Sequence, residues 1–239
     1  MTAERRVVSL VPSITETLVA WGRPPIACTR FCEQPDLPHV GGTKDPAIAE
    51  IVALAPDVVV MCEEENRRED AAALNRAGVA TAALAIDGLA DVAPGLRALA
   101  AVVGVEPGAI AGLPGTGEVA APSEGSPARA RAFVPIWRRP WMSLSGGTYG
   151  SSLLAALGVA NVFAGAGRRY PEVTLDEARA ARPDVVLAPS EPYPFRERHV
   201  EELSSVAPVV LVDGQDLFWW GARTPDALTR LAAALAGLG

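Results

Sequence analysis

The sequence predicts an α/β protein of two lobes with parallel sheets. One unit occurs twice, as IAEIVALAPDVVVM at residues 48–61 and as LDEARAARPDVVLA at residues 175–188. In each copy a short amphipathic helix ends before a Pro-Asp pair, because proline cannot continue a helix. The apolar run that follows lacks polar alternation, which is typical of a strand covered on both faces, as in parallel sheets. Two such units favour two lobes of similar plan. The alternative is one doubly wound domain that reuses a common unit.

Composition narrows the classes of function. The 239 residues can bury one large core or two small ones, and 49% hydrophobic residues exclude disorder. A net charge of −7 argues against nucleic acid and anionic membranes as main partners. No segment approaches the ~18 to 20 apolar residues of a membrane span. The N-terminus MTAERRVVSLV lacks the features of a signal peptide, so a cytoplasmic protein is expected; a periplasmic or cell-surface protein whose leader was removed is the alternative.

The N-terminal lobe is predicted to cover residues 1–104. Its strands are expected at residues 5–11, 26–29, 58–61 and 79–86, with helices between them and a last helix at residues 89–103. Ser13 is expected to cap the first helix, and Glu16, three residues later, to complete a capping box. This turn follows the first strand, and α/β folds bind ligands at the carboxyl ends of parallel strands.

Residues 105–131 are predicted to be a connector, because the stretch GVEPGAIAGLPGTGEVAAPSEGSPARAR at residues 104–131 is rich in Gly, Pro, Ala and Ser and has no sustained helical period. A surface loop inside one domain is the alternative, although loops of this length are uncommon. The C-terminal lobe, residues 132–239, then begins with a strand at residues 132–137 and ends with a helix at residues 226–238.

Aromatic residues are concentrated after the connector, since only Trp21 and Phe31 precede it. Several follow predicted strands, where loops lie at the ligand-facing edge of a parallel sheet: Trp141, Tyr170, Tyr193, Phe195, Trp219 and Trp220. With nearby arginines they suit a large, flat ligand that bears anionic or amide groups. Phe133, Trp137 and Phe163 are expected to be core residues.

Catalytic motifs are missing from the sequence, which contains no phosphate loop, G-x-G-x-x-G, G-x-S-x-G or H-E-x-x-H. His199 lies in a charged helical stretch and is expected to be solvated. An odd cysteine count without regular spacing favours buried or idle thiols over a disulfide framework. Binding is therefore favoured over catalysis. An enzyme or metal-site protein that uses Cys28, Cys32, His39 and Cys62 is the alternative of another class.

Four segments resemble the cobalamin-type substrate-binding proteins of ABC importers, which are class III, helical-backbone receptors related to siderophore- and haem-binding proteins. The segments are SLVPSITETL, VGGTKDPAIAEIVALAPDVVV, YPEVTLDEARAARPDVVLAPSEPYPF and WWGARTP. The resemblance implies two Rossmann-like lobes that face a central cleft. It also implies a monomeric, non-enzymatic protein that binds a metal chelate, a cobalamin-like corrinoid first, with no covalent cofactor and no membrane insertion. Haem or an Fe-siderophore is the alternative ligand, for which clustered arginines and Tyr170 argue.

The resemblance also implies particular site residues. Matched residue by residue, the ligand positions are Pro12, Phe31, Cys62 (where the cobalamin receptor has a tryptophan), Tyr170, Trp219, Trp220 and Arg223. The loop positions add Ser13, Trp141 and Tyr193. Docking to an ABC transporter permease is expected at Asp176 and at Glu50, which adjoins the matching Ala49. The long interlobe helix of the family is expected to be short or disrupted, because Pro114, Pro122 and Pro127 interrupt this stretch.

Overall fold

A computed structural model describes residues 5–117 and 128–237. The chain divides into two compact units. Unit 1 comprises Met1–Ile86, Ala90–Glu118 and Trp220–Arg223; unit 2 comprises Asp87–Leu89, Val119–Trp219 and Thr224–Gly239. Residues 105–117 of the predicted connector thus belong to unit 1, whereas residues 118–127, with Pro122 and Pro127, lie outside the described residues.

Unit 1 contains a parallel three-stranded sheet in the order β1-β2-β3. The strands are β1 (Val7–Ser9), β2 (Val58–Cys62) and β3 (Thr81–Leu84), and the helices of this half are α1 (Pro12–Ala20), α2 (Ile48–Ala53), α3 (Arg68–Arg76), α4 (Leu89–Val102) and α5 (Pro107–Ile110). Every residue of β2 is buried, as predicted for a strand covered on both faces. The strand expected at residues 26–29 is reduced to single bridges at Ala27 and Cys28.

Helix α1 begins earlier than predicted and without the predicted cap. Val11 is its N-cap and makes no side-chain hydrogen bond, while Pro12 occupies the first turn. Proline suits this position because its fixed φ is helical and its missing N–H would have no helical partner. Ser13 therefore lies inside the helix, and the predicted capping box of Ser13 and Glu16 is wrong.

Unit 2 contains a parallel four-stranded sheet in the order β7-β4-β8-β9. Its strands are β4 (Ala130–Phe133), β7 (Val159–Asn161), β8 (Val185–Pro189) and β9 (Val209–Val212); an antiparallel hairpin of β5 (Pro135–Trp137) and β6 (Met142–Ser143) follows β4. The helices are α6 (Tyr149–Ala156), α7 (Leu175–Ala180), α8 (Val200–Leu203), α9 (Gly214–Phe218) and α10 (Thr224–Ala234), with a 3₁₀ turn at Glu197–His199. Within residues 5–117 and 128–237, no helix has the length and apolar character needed to cross a bilayer.

The repeated unit is confirmed in its hydrogen bonds. In unit 1 the N–H of Arg6 donates to Oδ2 of Asp57 at 2.7 Å. The Arg6 guanidinium donates to the carbonyl of Leu54 at 2.7 Å, just beyond the last turn of α2. Ala55 then adopts a positive φ of 45° before the proline. The aspartate of the Pro-Asp pair thus ties β2 to the start of β1, and the arginine satisfies a carbonyl that the helix end leaves open.

Unit 2 repeats this arrangement. The N–H of Arg131 donates to Oδ2 of Asp184 at 2.7 Å, and the Arg131 guanidinium donates to the carbonyl of Ala181 at 2.8 Å. Arg182, like its counterpart in unit 1, has a positive φ, here 50°. The same local chemistry therefore builds the same helix–turn–strand connection in both units.

Candidate functional site

The predicted ligand residues lie at the ends of strands or in the segments that follow them; Pro12 and Ser13 are in the first turn of α1, and Cys62 is the last residue of β2. Parallel strands place their carboxyl ends at one edge, which is where α/β folds bind ligands. In unit 1 these positions are Pro12 and Ser13 after β1, Phe31 after the bridge at Cys28, and Cys62 at the end of β2. In unit 2 they are Trp141 after β4 and β5, Tyr170 after β7, Tyr193 after β8 and Trp219 after β9. Topology thus brings these residues to one edge within each unit.

Ser13 is the unsatisfied polar side chain of unit 1. It is only 2% exposed, and its Oγ has no hydrogen-bond partner among the described residues. A buried hydroxyl without a partner costs about 1–3 kcal/mol. Because Ser13 lies in the first turn of α1, backbone N–H groups without helical partners adjoin it. A ligand atom that bonds to Ser13 Oγ would recover this free energy.

Arg223 is held in a bidentate ion pair. Its Nε and Nη2 donate to the two carboxylate oxygens of Glu16, each at 2.7 Å. The neighbouring Ala222 N–H donates to Thr17 Oγ1 at 3.0 Å, and Trp220 is buried. The segment Trp220–Arg223 therefore packs on α1 within unit 1, and a ligand would meet a guanidinium that is already paired.

Cys62 lies at its predicted position at the end of β2, but it is buried, and burial raises the pKa of its thiol to about 11. Its N–H donates to Oδ1 of Asn66 at 2.8 Å. The Asn66 amide in turn donates to the carbonyls of Leu10 at 3.1 Å and Thr43 at 2.9 Å. Asn66, which the sequence analysis did not single out, thus ties three loops of unit 1 together.

Phe31 is the exposed aromatic residue of unit 1, with 54% of its surface accessible. The guanidinium of Arg30 lies 4.7 Å from its ring centroid, in cation–π contact. Arg30 also pairs with Asp45 at 3.1 Å. The ring is therefore oriented by its neighbour and remains available to a ligand.

Two loops of unit 2 are joined by backbone hydrogen bonds. The N–H of Ser143 donates to the carbonyl of Pro171, and the N–H of Val173 donates to the carbonyl of Trp141, both at 2.9 Å. Tyr170 lies next to this joined stretch and is half-buried. The hairpin of β5 and β6 therefore fixes Tyr170 relative to Trp141.

Five side chains of unit 2 form an aromatic cluster: Trp137, Trp141, Tyr193, Phe195 and His199. Trp141 stacks on Phe195 with centroids 6.0 Å apart, and Trp137 meets Tyr193 edge-on at 5.6 Å. Trp137 is 44% exposed, so the expectation that it is a core residue is wrong. It lies on the hairpin rather than in the main sheet, which leaves one face uncovered. The cluster presents a partly exposed aromatic surface.

His199 is buried in this cluster, with 4% of its surface accessible, and the expectation that it is solvated is wrong. Its ring meets those of Tyr193 and Phe195 edge-on at 5.5 and 5.6 Å. The N–H of Arg196 donates to its Nδ1 at 3.0 Å. Burial, and then the charges of neighbouring arginines, lower the pKa of His199, which keeps the imidazole neutral.

Two arginines at this edge of unit 2 have carboxylate partners. Nε of Arg138 donates to Oε2 of Glu202 at 2.9 Å. Nη1 of Arg169 donates to Oδ1 of Asp87 at 2.7 Å. The charges of these two arginines are therefore compensated by carboxylates.

The remaining predicted residues have exposed side chains. Glu50 is exposed on α2, and Asp176 is exposed on α7, where it pairs with Arg179 at 2.6 Å. His39 is exposed and contacts the carbonyl of Gln34 at 3.2 Å. In the part of the chain that the structure describes, no group of three or more His, Cys, Asp and Glu side chains is arranged to hold a metal ion.

No protein-family model and no curated protein matches the sequence. Solved structures match it over nearly its whole length. The periplasmic vitamin B12 binding protein BtuF of Vibrio cholerae has a TM-score of 0.75 at 20% identity, with 98% of this chain and 97% of that chain covered. The periplasmic heme-binding protein RhuT from Roseiflexus sp. RS-1 has a TM-score of 0.75 at 21% identity, with 97% of this chain and 98% of that chain covered. The periplasmic heme-binding protein BhuT has a TM-score of 0.77 at 20% identity, again with 97% of this chain and 98% of that chain covered. The chain therefore has the class III periplasmic-binding-protein fold, as predicted.

Proposed function

We propose that the chain is a non-enzymatic binding protein for a cobalamin-like corrinoid, held by loops at the carboxyl edges of its sheets. The observation that carries the proposal is the partly exposed aromatic cluster of unit 2, beside arginines that already have carboxylate partners. Aromatic faces suit a large macrocycle, because stacking buries apolar area on both partners. The fold shared with the vitamin B12 binding protein supports this class of ligand.

The paired arginines argue against a strongly anionic chelate. Arg138, Arg169 and Arg223 each hold a carboxylate within 2.8 Å. An anionic ligand would have to displace these carboxylates, and separating a partly buried pair leaves an uncompensated charge. A corrinoid periphery carries neutral amides, for which neutral partners such as Ser13 Oγ and the Tyr170 hydroxyl are suitable.

Haem is the second candidate, and Tyr170 favours it. A tyrosine phenolate is one of the side chains that ligate haem iron. Tyr170 is half-buried and held by the hairpin of β5 and β6, which would position its oxygen. Two structures with the same fold are heme-binding proteins.

The test is a titration of the purified chain with hydroxocobalamin, followed by tryptophan quenching and by co-elution of the corrinoid colour on gel filtration. We expect one corrinoid per chain with a Kd of about 1 μM or lower, which corresponds to about −8 kcal/mol. Failure of both hydroxocobalamin and haemin to bind would refute the proposal. Binding of haemin alone would replace the corrinoid by the second candidate.

Variants of Tyr170 separate the two ligands. Tyr170→Phe keeps the ring and should preserve corrinoid affinity within about threefold, whereas Tyr170→Ala loses stacking worth about 1 kcal/mol or more. For haem, Tyr170→Phe should abolish binding through the phenolate and change the haem spectrum. Trp21→Phe is the matched aromatic control, because Trp21 lies just beyond the far end of α1, with its Nε1–H bonded to Pro114.

We further infer that the loaded chain delivers its ligand to an ABC importer or carries it within the cytoplasm. The exposed acids Glu50 and Asp176 suit a basic docking surface. With a corrinoid importer in nanodiscs, Glu50→Lys and Asp176→Lys together should abolish retention of the loaded protein and leave hydroxocobalamin affinity unchanged. Equal retention would exclude these acids as the docking residues, and no retention of the unaltered chain would favour the carrier role.

A further inference from the structure

A tight turn in unit 1 carries Lys44, the one lysine of the sequence. The turn is closed by the N–H of Gly42, which donates to the carbonyl of Asp45 at 3.3 Å, and by a bridge between Gly41 and Pro46. Gly41 has a φ of +87°, and a Cβ at this position would lie 2.5 Å from the Asp45 carbonyl oxygen. Glycine therefore permits the turn, and the exposed Lys44 lies at its tip.

Hydrogen bonds hold this turn against two segments of the predicted ligand edge. The N–H of Arg30, whose guanidinium orients the exposed aromatic ring of unit 1, donates to the Gly41 carbonyl at 2.9 Å. The Asn66 amide, in the turn that follows β2, donates to the Thr43 carbonyl at 2.9 Å. Lys44 is therefore placed where these two segments meet.

Lys44 has a neutral partner. Its ammonium donates to the carbonyl of Glu64 at 2.8 Å, which uses one of its three N–H donors. Among the described residues, no carboxylate forms an ion pair with this ammonium. The adjacent Asp45 is engaged with Arg30, whose guanidinium donates to both carboxylate oxygens at 3.1 Å. The charge of Lys44 is therefore not compensated by a direct contact, and its other N–H groups can donate to a ligand.

The charges around Lys44 limit the kind of anion that it can bind. Asp45 and the run Glu63, Glu64 and Glu65 lie in the segments that meet at Lys44. These carboxylates repel a ligand with several anionic groups, whereas a single anionic group can still reach the exposed ammonium. A phosphodiester meets this requirement, because it carries one negative charge and presents two unesterified oxygens to N–H donors.

We propose, on the basis of the corrinoid-binding function proposed above, that Lys44 binds the phosphodiester of a nucleotide-bearing corrinoid and selects it over corrinoids that lack the nucleotide. In cobalamins the phosphodiester is the one anionic group of the periphery, and the remaining polar groups are neutral amides and hydroxyls. Lys44 supplies the positive charge that the paired arginines do not offer. Because this ion pair forms at an exposed side chain, its strength depends on salt.

The test compares cyanocobalamin with dicyanocobinamide, which has the same corrin ring and amides but lacks the nucleotide and its phosphodiester. Lys44→Gln removes the charge and retains an N–H that can donate to the Glu64 carbonyl. We expect this variant to bind cyanocobalamin about fivefold more weakly, equivalent to about 1 kcal/mol, and dicyanocobinamide within about twofold of the unaltered chain. Retained binding of dicyanocobinamide also shows that the variant is folded.

Arg76→Gln is the matched control. It changes the net charge by the same amount, and Arg76 lies in the last turn of α3, at the end of that helix far from β2. This variant should bind both corrinoids like the unaltered chain. Raising KCl from about 50 to about 500 mM should weaken cyanocobalamin binding to the unaltered chain and to Arg76→Gln by about threefold, and it should leave binding to Lys44→Gln unchanged.

Acetylation tests the contact without a variant. Since Lys44 is the one lysine, an amine-selective acetylating reagent modifies this side chain and the N-terminal amine, which peptide mass spectrometry distinguishes. Bound cyanocobalamin should slow the acetylation of Lys44 and leave that of the N-terminus unchanged, whereas dicyanocobinamide should protect neither.

The outcomes separate this inference from the function on which it rests. Equal loss of both corrinoids in Lys44→Gln, or no loss of either, would overturn the role of Lys44 and leave corrinoid binding in place. Acetylation of Lys44 at the same rate with and without bound cyanocobalamin would do the same. Failure of the unaltered chain to bind either corrinoid would overturn the proposed function and this inference together.

Discussion

Replacing Asn66 by aspartate probes the network that ties the loops of unit 1 together. The Asn66 side chain is 7% exposed and makes three hydrogen bonds, one as acceptor from Cys62 and two as donor to Leu10 and Thr43. Asn66→Asp preserves the shape and the acceptor. It replaces the donating amide by an oxygen that faces two carbonyl oxygens. The substitution therefore changes hydrogen bonding and charge without opening a cavity.

The magnitude follows from the lost bonds. Two net hydrogen bonds are worth about 0.5–1.5 kcal/mol each, so their loss costs about 1–3 kcal/mol. The new carboxylate is also desolvated and faces two carbonyl dipoles, which raises its pKa and adds to the loss at neutral pH. We expect the free energy of unfolding to fall by about 3 kcal/mol in total. At low pH the protonated carboxyl can donate to one carbonyl, so part of the stability should return.

Urea denaturation followed by far-UV circular dichroism, at neutral pH and at about pH 5, measures both effects. Asn75→Asp is the matched control, because Asn75 is exposed on α3 and its side chain exchanges hydrogen bonds with the Thr81 hydroxyl. It should change the free energy of unfolding by about 0.5 kcal/mol or less. A similarly small effect for Asn66→Asp, or no recovery at the lower pH, would refute the network.

Three further predictions concern individual contacts. The pKa of His199 is lowered in the folded state, so the unfolded state binds the proton first and stability should fall as pH drops below about 6.5. His199→Asn, which retains an acceptor for the Arg196 N–H, should remove this dependence in urea melts recorded at several pH values. His39→Asn should not remove it. Gly221→Ala should destabilise the folded protein by about 2 kcal/mol or more, since φ at Gly221 is +136° and a Cβ would clash with Thr17 Oγ1. Gly147→Ala should be tolerated in the same thermal unfolding experiment, because open space surrounds the position of its Cβ. Glu16→Gln should lower the free energy of unfolding by about 1–2 kcal/mol, because Arg223 loses its charged partner. If the same variant binds an anionic chelate such as haemin more tightly, Arg223 faces the ligand.

Local rules explain what the sequence predicted well. Proline ends a helix wherever it occurs, and an aspartate that follows it can accept the N–H of a neighbouring strand. Asp57 and Asp184 do so in the two units. The repeat, the parallel sheets and the loops at their carboxyl edges could therefore be inferred without tertiary contacts.

The failures share a different cause, which is a partner distant in sequence. Glu16 could serve a helix cap or a salt bridge, and the choice depends on Arg223, which lies 207 positions away. His199 has charged sequence neighbours, but the fold places the rings of Tyr193 and Phe195 over it. The surroundings of these side chains are decided by tertiary packing. The periodicity and spacing of residues in the sequence do not reveal that packing.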